Sequence, residues 1–247
     1  MTYNDQKLSQ HKHTFAVFHG SFRSDVRCCN DTEIIHRITK VLRLSIGDTV
    51  IFFNTYEHSV CSLEHIDKKQ ISYSVLSTHA TNLRTPQISM YICLLKKDAF
   101  FESVRQCAAM GVSHIIPVIS EKIERNWFSE KDFHKCTRIS IAACEQAKNF
   151  HLPKMHHPIR FEDITARKNI FVADPHGAPL QEMSHYVDND IRVLIGPEGG
   201  FSPEEANTLT EFPSLRLTPT ILRAVDAVAV IAGALSSMMY SADSKRL

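Results

Sequence analysis

Three charged residues lie in segments that otherwise carry little charge. Glu198 is the centre of GPEGG (196–200), which holds three of the chain's 8 glycines. Arg223 and Asp226 are the only charged residues between Thr218 and Tyr240. Arg223 and Asp226 fall where a proline-bearing loop becomes a helix of small residues, and the GPEGG segment could face them there. The two segments are therefore candidates for a common functional site.

The GPEGG segment directly follows the apolar residues 192–195, which predict a buried strand. In open parallel sheets, ligands bind at the carboxyl ends of strands. Glycines there permit positive φ and a close approach of the backbone to a ligand, while Pro197 stiffens one corner. Ser202, Pro203 and Glu205 predict a helix N-cap, its first residue and the returning partner of a capping box.

The charge of this loop decides which ligands suit it. Glu198, Glu204 and Glu205 place negative charge where a phosphate would lie, so a neutral or positive ligand fits better. No GxGxxG or GxxxxGK[ST] motif occurs. Two simpler interpretations stay open: GPEGG is only a tight strand-to-helix turn, and Arg223 and Asp226, three residues apart, only pair with each other.

The composition is that of an ordinary globular protein, with 43% hydrophobic and 22% charged residues among 247. The longest apolar run, Ala227 to Leu235, is too short to cross a membrane, and residues 1–20 lack the apolar core of a signal peptide. We therefore predict a cytoplasmic protein without a membrane segment. The net charge of +1 is a weak signal for nucleic-acid binding, although residues 90–160 hold 11 basic against 7 acidic residues.

Cysteines and histidines give no sign of a metal centre. The seven cysteines are scattered without a CxxC pair, which predicts reduced thiols, mostly in the core. His151, His156 and His157 lie in a proline-flanked polar loop without a nearby thiol or a clear third ligand. We predict no bound metal.

The pattern of apolar residues predicts two domains. Short β-rich segments at 13–18, 49–53, 58–66 and 70–76, with one helix begun by a capping box at 30–33, predict a small β-rich domain over residues 1–77. Strands at 88–95, 113–119, 169–173, 192–195 and 214–218 alternate with helices at 98–110 and about 129–149, and a further helix of small residues follows the last strand. This order predicts an α/β domain with a mainly parallel sheet over residues 86–247.

Six segments together resemble one known family. The chain is similar to the 16S ribosomal RNA uridine-N3 methyltransferases, a branch of the SPOUT superfamily of knotted methyltransferases. The matching segments, in chain order, are HRITKVLRLSIGD (36–48), KKD (96–98), MGVSHIIPVISEK (110–122), IAACEQ (141–146), IGPEGGFSPEE (195–205) and LTPTILRAVDA (217–227).

The resemblance implies a fold and a cofactor. The fold is an amino-terminal PUA-like β-barrel that helps to bind RNA and a carboxy-terminal α/β domain tied in a trefoil knot, assembled as a homodimer. The cofactor is S-adenosylmethionine, held in the knot between two loops. By matching position, one wall consists of Leu194, Ile195, Gly196, Gly199 and Gly200, and the other of Leu217, Thr218, Pro219, Ile221 and Leu222.

The resemblance also implies the reaction, the methylation of N3 of a uridine in 16S ribosomal RNA of the small ribosomal subunit. We expect Arg223 to stabilise the uracil anion and Asp226 or Glu198 to assist removal of the proton. The expected phosphate contacts are Arg43, Lys96, Lys122, Arg125 and Lys148. Two alternatives remain, namely methylation of another RNA nucleotide, and an RNA-binding ribosome assembly factor that has kept the fold without turnover.

The chain departs from the family pattern at several positions. A motif that usually reads LRTETA is LRAVDA here, so that Val225 replaces a glutamate and Asp226 lies one position further on. Asn149 lies where an arginine is common, with Lys148 beside it. The other departures are Gln106, Ala109 and His13. These changes affect the expected catalytic and RNA-binding residues more than the expected cofactor loops.

Overall fold

The computed structural model describes residues 14–82, 84–123, 127–164, 170–186 and 189–240. The chain divides into two compact units, one up to Asn82 and one that follows it.

The first unit is built on a five-stranded sheet with the order β1-β3-β4-β5-β2. Its strands are β1 (Phe15–Phe18), β2 (Cys28–Cys29), β3 (Thr49–Phe53), β4 (Glu57–Ile66) and β5 (Ile71–Ala80). The β1–β3 pair is parallel and the others are antiparallel. In the described residues β1 and β2 form the two edges of the sheet, which is a half-barrel and not a closed one. The rings of Phe22, Phe52 and Tyr73 pack together in its core.

The helix of this unit, α1 (Thr32–His36), begins with a simpler cap than the sequence predicts. The predicted capping box at 30–33 is wrong, because the Asp31 carboxylate alone accepts the N–H groups of Glu33 and Ile34. The helix continues as a π-helical turn, Arg37–Val41.

The second unit is built on a seven-stranded sheet. Its strands are β6 (Ile88–Cys93), β7 (His114–Ile119), β8 (Lys154–Met155), β9 (Ile159–Arg160), β10 (Ile170–Pro179), β11 (Ile191–Ile195) and β12 (Ser214–Arg216). The order is β12-β10-β11-β6-β7-β8, with β9 also beside β7. All the described pairings are parallel, as predicted, although β8 and β9 were not predicted.

Among the described residues, two 3-10 helices, Phe161–Ile164 and Leu180–His185, and four α-helices accompany this sheet; the α-helices are α2 (Lys97–Ala109), α3 (Glu130–Ala147), α4 (Pro203–Leu209) and α5 (Ala224–Tyr240). Successive residues of the central strands point to opposite faces, and both faces are covered. Met90 and Val193 pack in one apolar core, whereas Tyr91 and Leu194 pack in another. This double burial explains why the central strands are almost continuously apolar.

Two further predictions concern the whole chain. Six of the seven cysteines are buried, as expected, and Cys28 is partly exposed. In the part of the chain that the structure describes, no helix is long and apolar enough to cross a membrane.

The start of α4 is fixed by a buried carboxylate. Ser202 caps the helix, Pro203 is its first residue, and Glu205 completes the capping box, as predicted. Glu205 Oε2 accepts the N–H of Ser202 at 3.0 Å, while Oε1 accepts the N–H of Glu121 at 2.8 Å. Glu205 therefore connects the start of α4 to the segment that follows β7, and it is buried while doing so.

We expect Glu205→Ala to lower the free energy of unfolding by about 1–3 kcal/mol, because it leaves two backbone N–H groups without their acceptor. Urea denaturation followed by circular dichroism measures this. The control is Glu204→Ala, which removes the exposed neighbouring carboxylate and should cost less than about 0.5 kcal/mol. Equal losses for the two variants would contradict the anchoring role of Glu205.

Candidate functional site

The segments that follow β11 and β12, together with the middle of the strand β10 that lies between these two, enclose one cavity of about 880 Å³. The predicted site residues that line it are Ile195, Gly196, Glu198, Gly200, Ile221, Leu222 and Arg223. The two expected loops therefore meet at one cavity, at the edge of the sheet where parallel strands place ligands.

Two glycines of the loop 196–201, Gly196 and Gly200, are required for different structural reasons. A Cβ on Gly196 would lie 2.8 Å from Cε2 of Phe201, so a side chain there would have to displace that ring. Gly200 has a φ of +70°, and a Cβ on it would meet open space. Gly200 is the only one of the three at positive φ. The loop is thus shaped by close packing at one end and by a left-handed backbone at the other.

A bulge in β10 forms part of the cavity wall and was not predicted. The pairing with β12 shifts after Ala173 and resumes at Ala178, so that Asp174 and Pro175 line the cavity. Gly177 permits this, since a Cβ on it would lie 2.5 Å from the backbone N of Leu215. The sequence signal that was available is the turn-like Asp-Pro-His-Gly (174–177) within an otherwise apolar strand.

The remaining residues of the two expected walls lie at different depths. Leu194 is fully buried in β11 and belongs to the core beneath the loop. Leu217 and Thr218 line a smaller cavity of about 70 Å³, to which Leu222 also contributes. Pro219 is exposed. Ile221 is 83% exposed and offers an apolar side chain at the cavity.

Arg223 and Asp226 form the ion pair that their spacing suggested. Arg223 Nε lies 2.8 Å from Asp226 Oδ2, and Arg223 Nη2 lies 3.1 Å from Oδ1. The hydrogen bond from Arg223 lowers the pKa of Asp226. The pKa of Arg223 is raised, first by the hydrogen bond to Asp226, with a smaller contribution from the charge of Glu198. The pair thus presents a permanently charged, oriented guanidinium to the cavity, whereas Asp226 is a weak proton acceptor.

A second, smaller pocket of about 170 Å³ lies along the same loop. Pro197 and Glu198 line both the large cavity and this pocket, and Gly199 lines the pocket. Lys96 follows β6 and Lys122 follows β7, and both line the pocket together with Trp127. The structure therefore brings together two of the predicted RNA contacts, Lys96 and Lys122.

The other predicted RNA contacts lie elsewhere or outside the described residues. Arg43 is an exposed residue of the first unit with a φ of 54°. Lys148 ends α3 in a left-handed conformation beside Asn149, whose Nδ2 donates to the carbonyl of Ala108 at 2.8 Å. Because Ala108 lies at the end of α2, Lys148 is at the opposite edge of the sheet from Lys96. Arg125 and His13 lie outside the described residues.

The histidines of the 151–157 segment make other contacts. His156 Nε2 lies 3.0 Å from His114 Nδ1, and the ring of His157 stacks on Phe133 with centroids 4.4 Å apart. Over the described residues, no three His, Cys, Asp or Glu side chains are grouped so that they could hold a metal ion.

Comparisons with known proteins agree with this architecture. A relative named ribosomal RNA small subunit methyltransferase E, from Rickettsia conorii, is 25% identical over 203 residues, covering 78% of this chain and 82% of its own. The protein of the same name from Aquifex aeolicus is 29% identical over 181 residues, covering 70% and 78%. The crystal structure of the Neisseria gonorrhoeae protein of that name, bound to S-adenosyl methionine, shares the fold with a TM-score of 0.80 at 21% identity, covering 92% and 98%.

The family model described as RNA methyltransferase domain matches residues 82–236, which hold both cavity loops and the whole seven-stranded sheet. This match covers more than half of the 247 residues, and the chain therefore belongs to the RNA methyltransferase domain family.

Proposed function

We propose that this protein transfers a methyl group from S-adenosylmethionine to N3 of a uridine in 16S ribosomal RNA of the small ribosomal subunit. The observation that carries the proposal is the cavity enclosed by the loop 196–201 and the segment 221–224, which are the two segments that resemble the cofactor loops of the uridine-N3 methyltransferases. The names of the Rickettsia and Aquifex relatives support the choice of ribosomal RNA.

The residues of the large cavity fit S-adenosylmethionine. A volume of about 880 Å³ lies in the range of about 300–1,000 Å³ that is usual for small-molecule sites. Apolar side chains of Val172, Ile195 and Leu222 suit the adenine ring. The carboxylates of Asp174 and Glu198 suit a ligand with an ammonium and a sulfonium group. When bound, S-adenosylmethionine supplies an electrophilic methyl group.

The charged residues of the cavity have distinct roles in this proposal. Arg223 stabilises the negative charge that develops on the uracil ring when the N3 proton leaves. Asp226 is a positioning residue, since its two hydrogen bonds orient the Arg223 guanidinium. Glu198 accepts the proton. It borders both cavities, and the ion pair with Arg223 is made by Asp226 instead.

The same proposal includes the finer features of the architecture. The second unit is tied in a trefoil knot around the two cavity loops, and the half-barrel of the first unit is PUA-like and binds RNA through residues such as Arg43. Two copies associate as a homodimer, for which the partly exposed small residues Ala229, Gly233 and Ala234 of α5 offer a closely packing surface. A ribosomal RNA substrate implies a cytoplasmic protein.

The direct test is methyl transfer to small ribosomal subunits purified from a strain that lacks the gene. We expect incorporation of label from methyl-labelled S-adenosylmethionine, and digestion to nucleosides should place the label in N3-methyluridine when analysed by mass spectrometry. Label in a different nucleoside would identify a methyltransferase of another specificity. Cofactor binding without any transfer would instead favour an assembly factor.

We expect Gly200→Val to weaken binding of S-adenosylmethionine at least about tenfold in isothermal titration calorimetry, because the branched side chain would project into the open cavity. Gly47→Val is the matched control, since Gly47 also has a positive φ and open space around its Cβ but belongs to the first unit. Both variants should remain dimeric. A loss of affinity in both would show that backbone strain, not cavity filling, is responsible.

We expect Arg223→Gln to lower kcat about 10²–10³-fold, which is typical for the loss of one group that stabilises a developing anion. Arg105→Gln is the control, because Arg105 forms a similar exposed ion pair, three residues from Glu102 on α2, away from both cavities. Single-turnover methyl transfer measures the effect. A kcat for Arg223→Gln within about threefold of the parent would contradict the assigned role.

A further inference from the structure

We propose that the smaller pocket beside Trp127 binds the acceptor uracil, extruded from the RNA as a single base. This inference rests on the proposed function, because it assigns the base-binding half of that site. The pocket is lined by side chains from three neighbouring strand ends, those of β6, β7 and β11. The large cavity uses the segments after β11 and β12 and the middle of β10, so the loop after β11 is common to both.

The shared loop is the first reason for this assignment. Methyl transfer requires the acceptor nitrogen and the methyl carbon to lie about 3–3.5 Å apart before reaction. An acceptor site must therefore open directly beside the cofactor cavity, with no protein atoms between the two reacting groups. Pro197 and Glu198 mark the place where the two sites adjoin, because both of them line the large cavity and the smaller pocket. The carboxylate assigned as proton acceptor thus borders the pocket in which the N3 proton would be released, and its charge is felt by Arg223, which would act on the uracil anion from the large-cavity side.

The size of the pocket is the second reason. At about 170 Å³ it is smaller than the usual range for drug-sized ligands, and it suits one planar ring. N3 of uridine lies on the Watson–Crick edge of the base, so it is blocked in a base pair and becomes accessible only when the nucleotide is unpaired or flipped out. Enzymes that modify bases commonly hold the flipped base against aromatic and apolar side chains.

The lining is the third reason. Leu94, Leu95 and Ile123 are apolar, and Trp127 offers an indole ring that is partly exposed. Lys96 and Lys122 are exposed and bring two ammonium groups to the same pocket. Ammonium groups can donate to the uracil carbonyls or to the flanking phosphates, and both interactions strengthen as negative charge develops on the ring.

Trp127 is held rigidly enough to act as a binding platform. Its Nε1–H donates to the carbonyl of Leu95 at 2.9 Å. The rings of Phe100 and Phe101 meet it edge-to-face, with centroids 5.7 and 5.8 Å away. The indole is therefore oriented before any ligand arrives, which reduces the entropy cost of binding.

Kinetics with small ribosomal subunits test the assignment. Trp127→Ala should lower kcat/KM for the subunit by about 5- to 150-fold, the range of one lost base–aromatic contact, while the Kd for S-adenosylmethionine stays unchanged. Trp127→Phe should retain most of the activity. If Trp127→Ala weakens cofactor binding in proportion, or leaves kcat/KM unchanged, the pocket does not hold the base.

The lysines allow a charge-matched comparison. Lys122→Gln should lower kcat/KM for the subunit several-fold more than Lys131→Gln, which removes the same charge from an exposed position on α3 outside both cavities. Equal decreases in kcat/KM for the two variants would show that Lys122 acts only through its general positive charge, and would contradict a specific contact in the pocket.

Fluorescence separates this inference from the proposed function. Trp127 is the only tryptophan, so its emission reports on the pocket alone. Uridine monophosphate should quench this emission saturably, whereas ribose 5-phosphate should not. Equal quenching by both, or none, overturns the base pocket even if methyl transfer occurs. If quenching occurs but no methyl group is transferred, the proposed function fails while the uracil site stands.

Discussion

The site depends on one constraint, that the loop 196–201 borders two cavities at once. The loop has this shape because Gly196 allows the Phe201 ring to pack closely and Gly200 takes a left-handed backbone. It is fixed at its far end by Glu205, whose carboxylate accepts N–H groups from Ser202 and Glu121. Because Glu121 precedes Lys122, one buried carboxylate aligns the loop 196–201 with the lysine side of the smaller pocket.

The distribution of charge follows from the same geometry. The acidic loop is unsuited to phosphate but suited to a cationic methyl donor, and the two lysines Lys96 and Lys122 line only the smaller of the two cavities. Asp226 orients Arg223 and raises its pKa, so Arg223 adds a positively charged group to the cavity. The proposed sites for the donor and the acceptor of the methyl group thus differ in charge, although one loop borders both.

The sequence predicted those elements whose signals are local. The strands β6 and β11 were found because both of their faces are apolar, and the start of α4 because Ser202, Pro203 and Glu205 act within one turn. The strands β8 and β9 were missed, since each is two residues long and exists only by pairing with β7. The division into two cavities also escaped prediction, because it depends on the order of strands in the sheet, which no local pattern determines.

The departures from the family pattern have a structural explanation at two positions. Val225 is 9% exposed, and a carboxylate buried there would need a compensating partner. Asp226, one position on, is partly exposed and pairs with Arg223, so a carboxylate is kept next to the arginine without burying it. Asn149 is buried, and its side chain bonds to the backbone of Ala108 and His151. An arginine at this position would have to point out of the buried site. Asn149 instead connects the end of α3 to the end of α2 through its bond to Ala108.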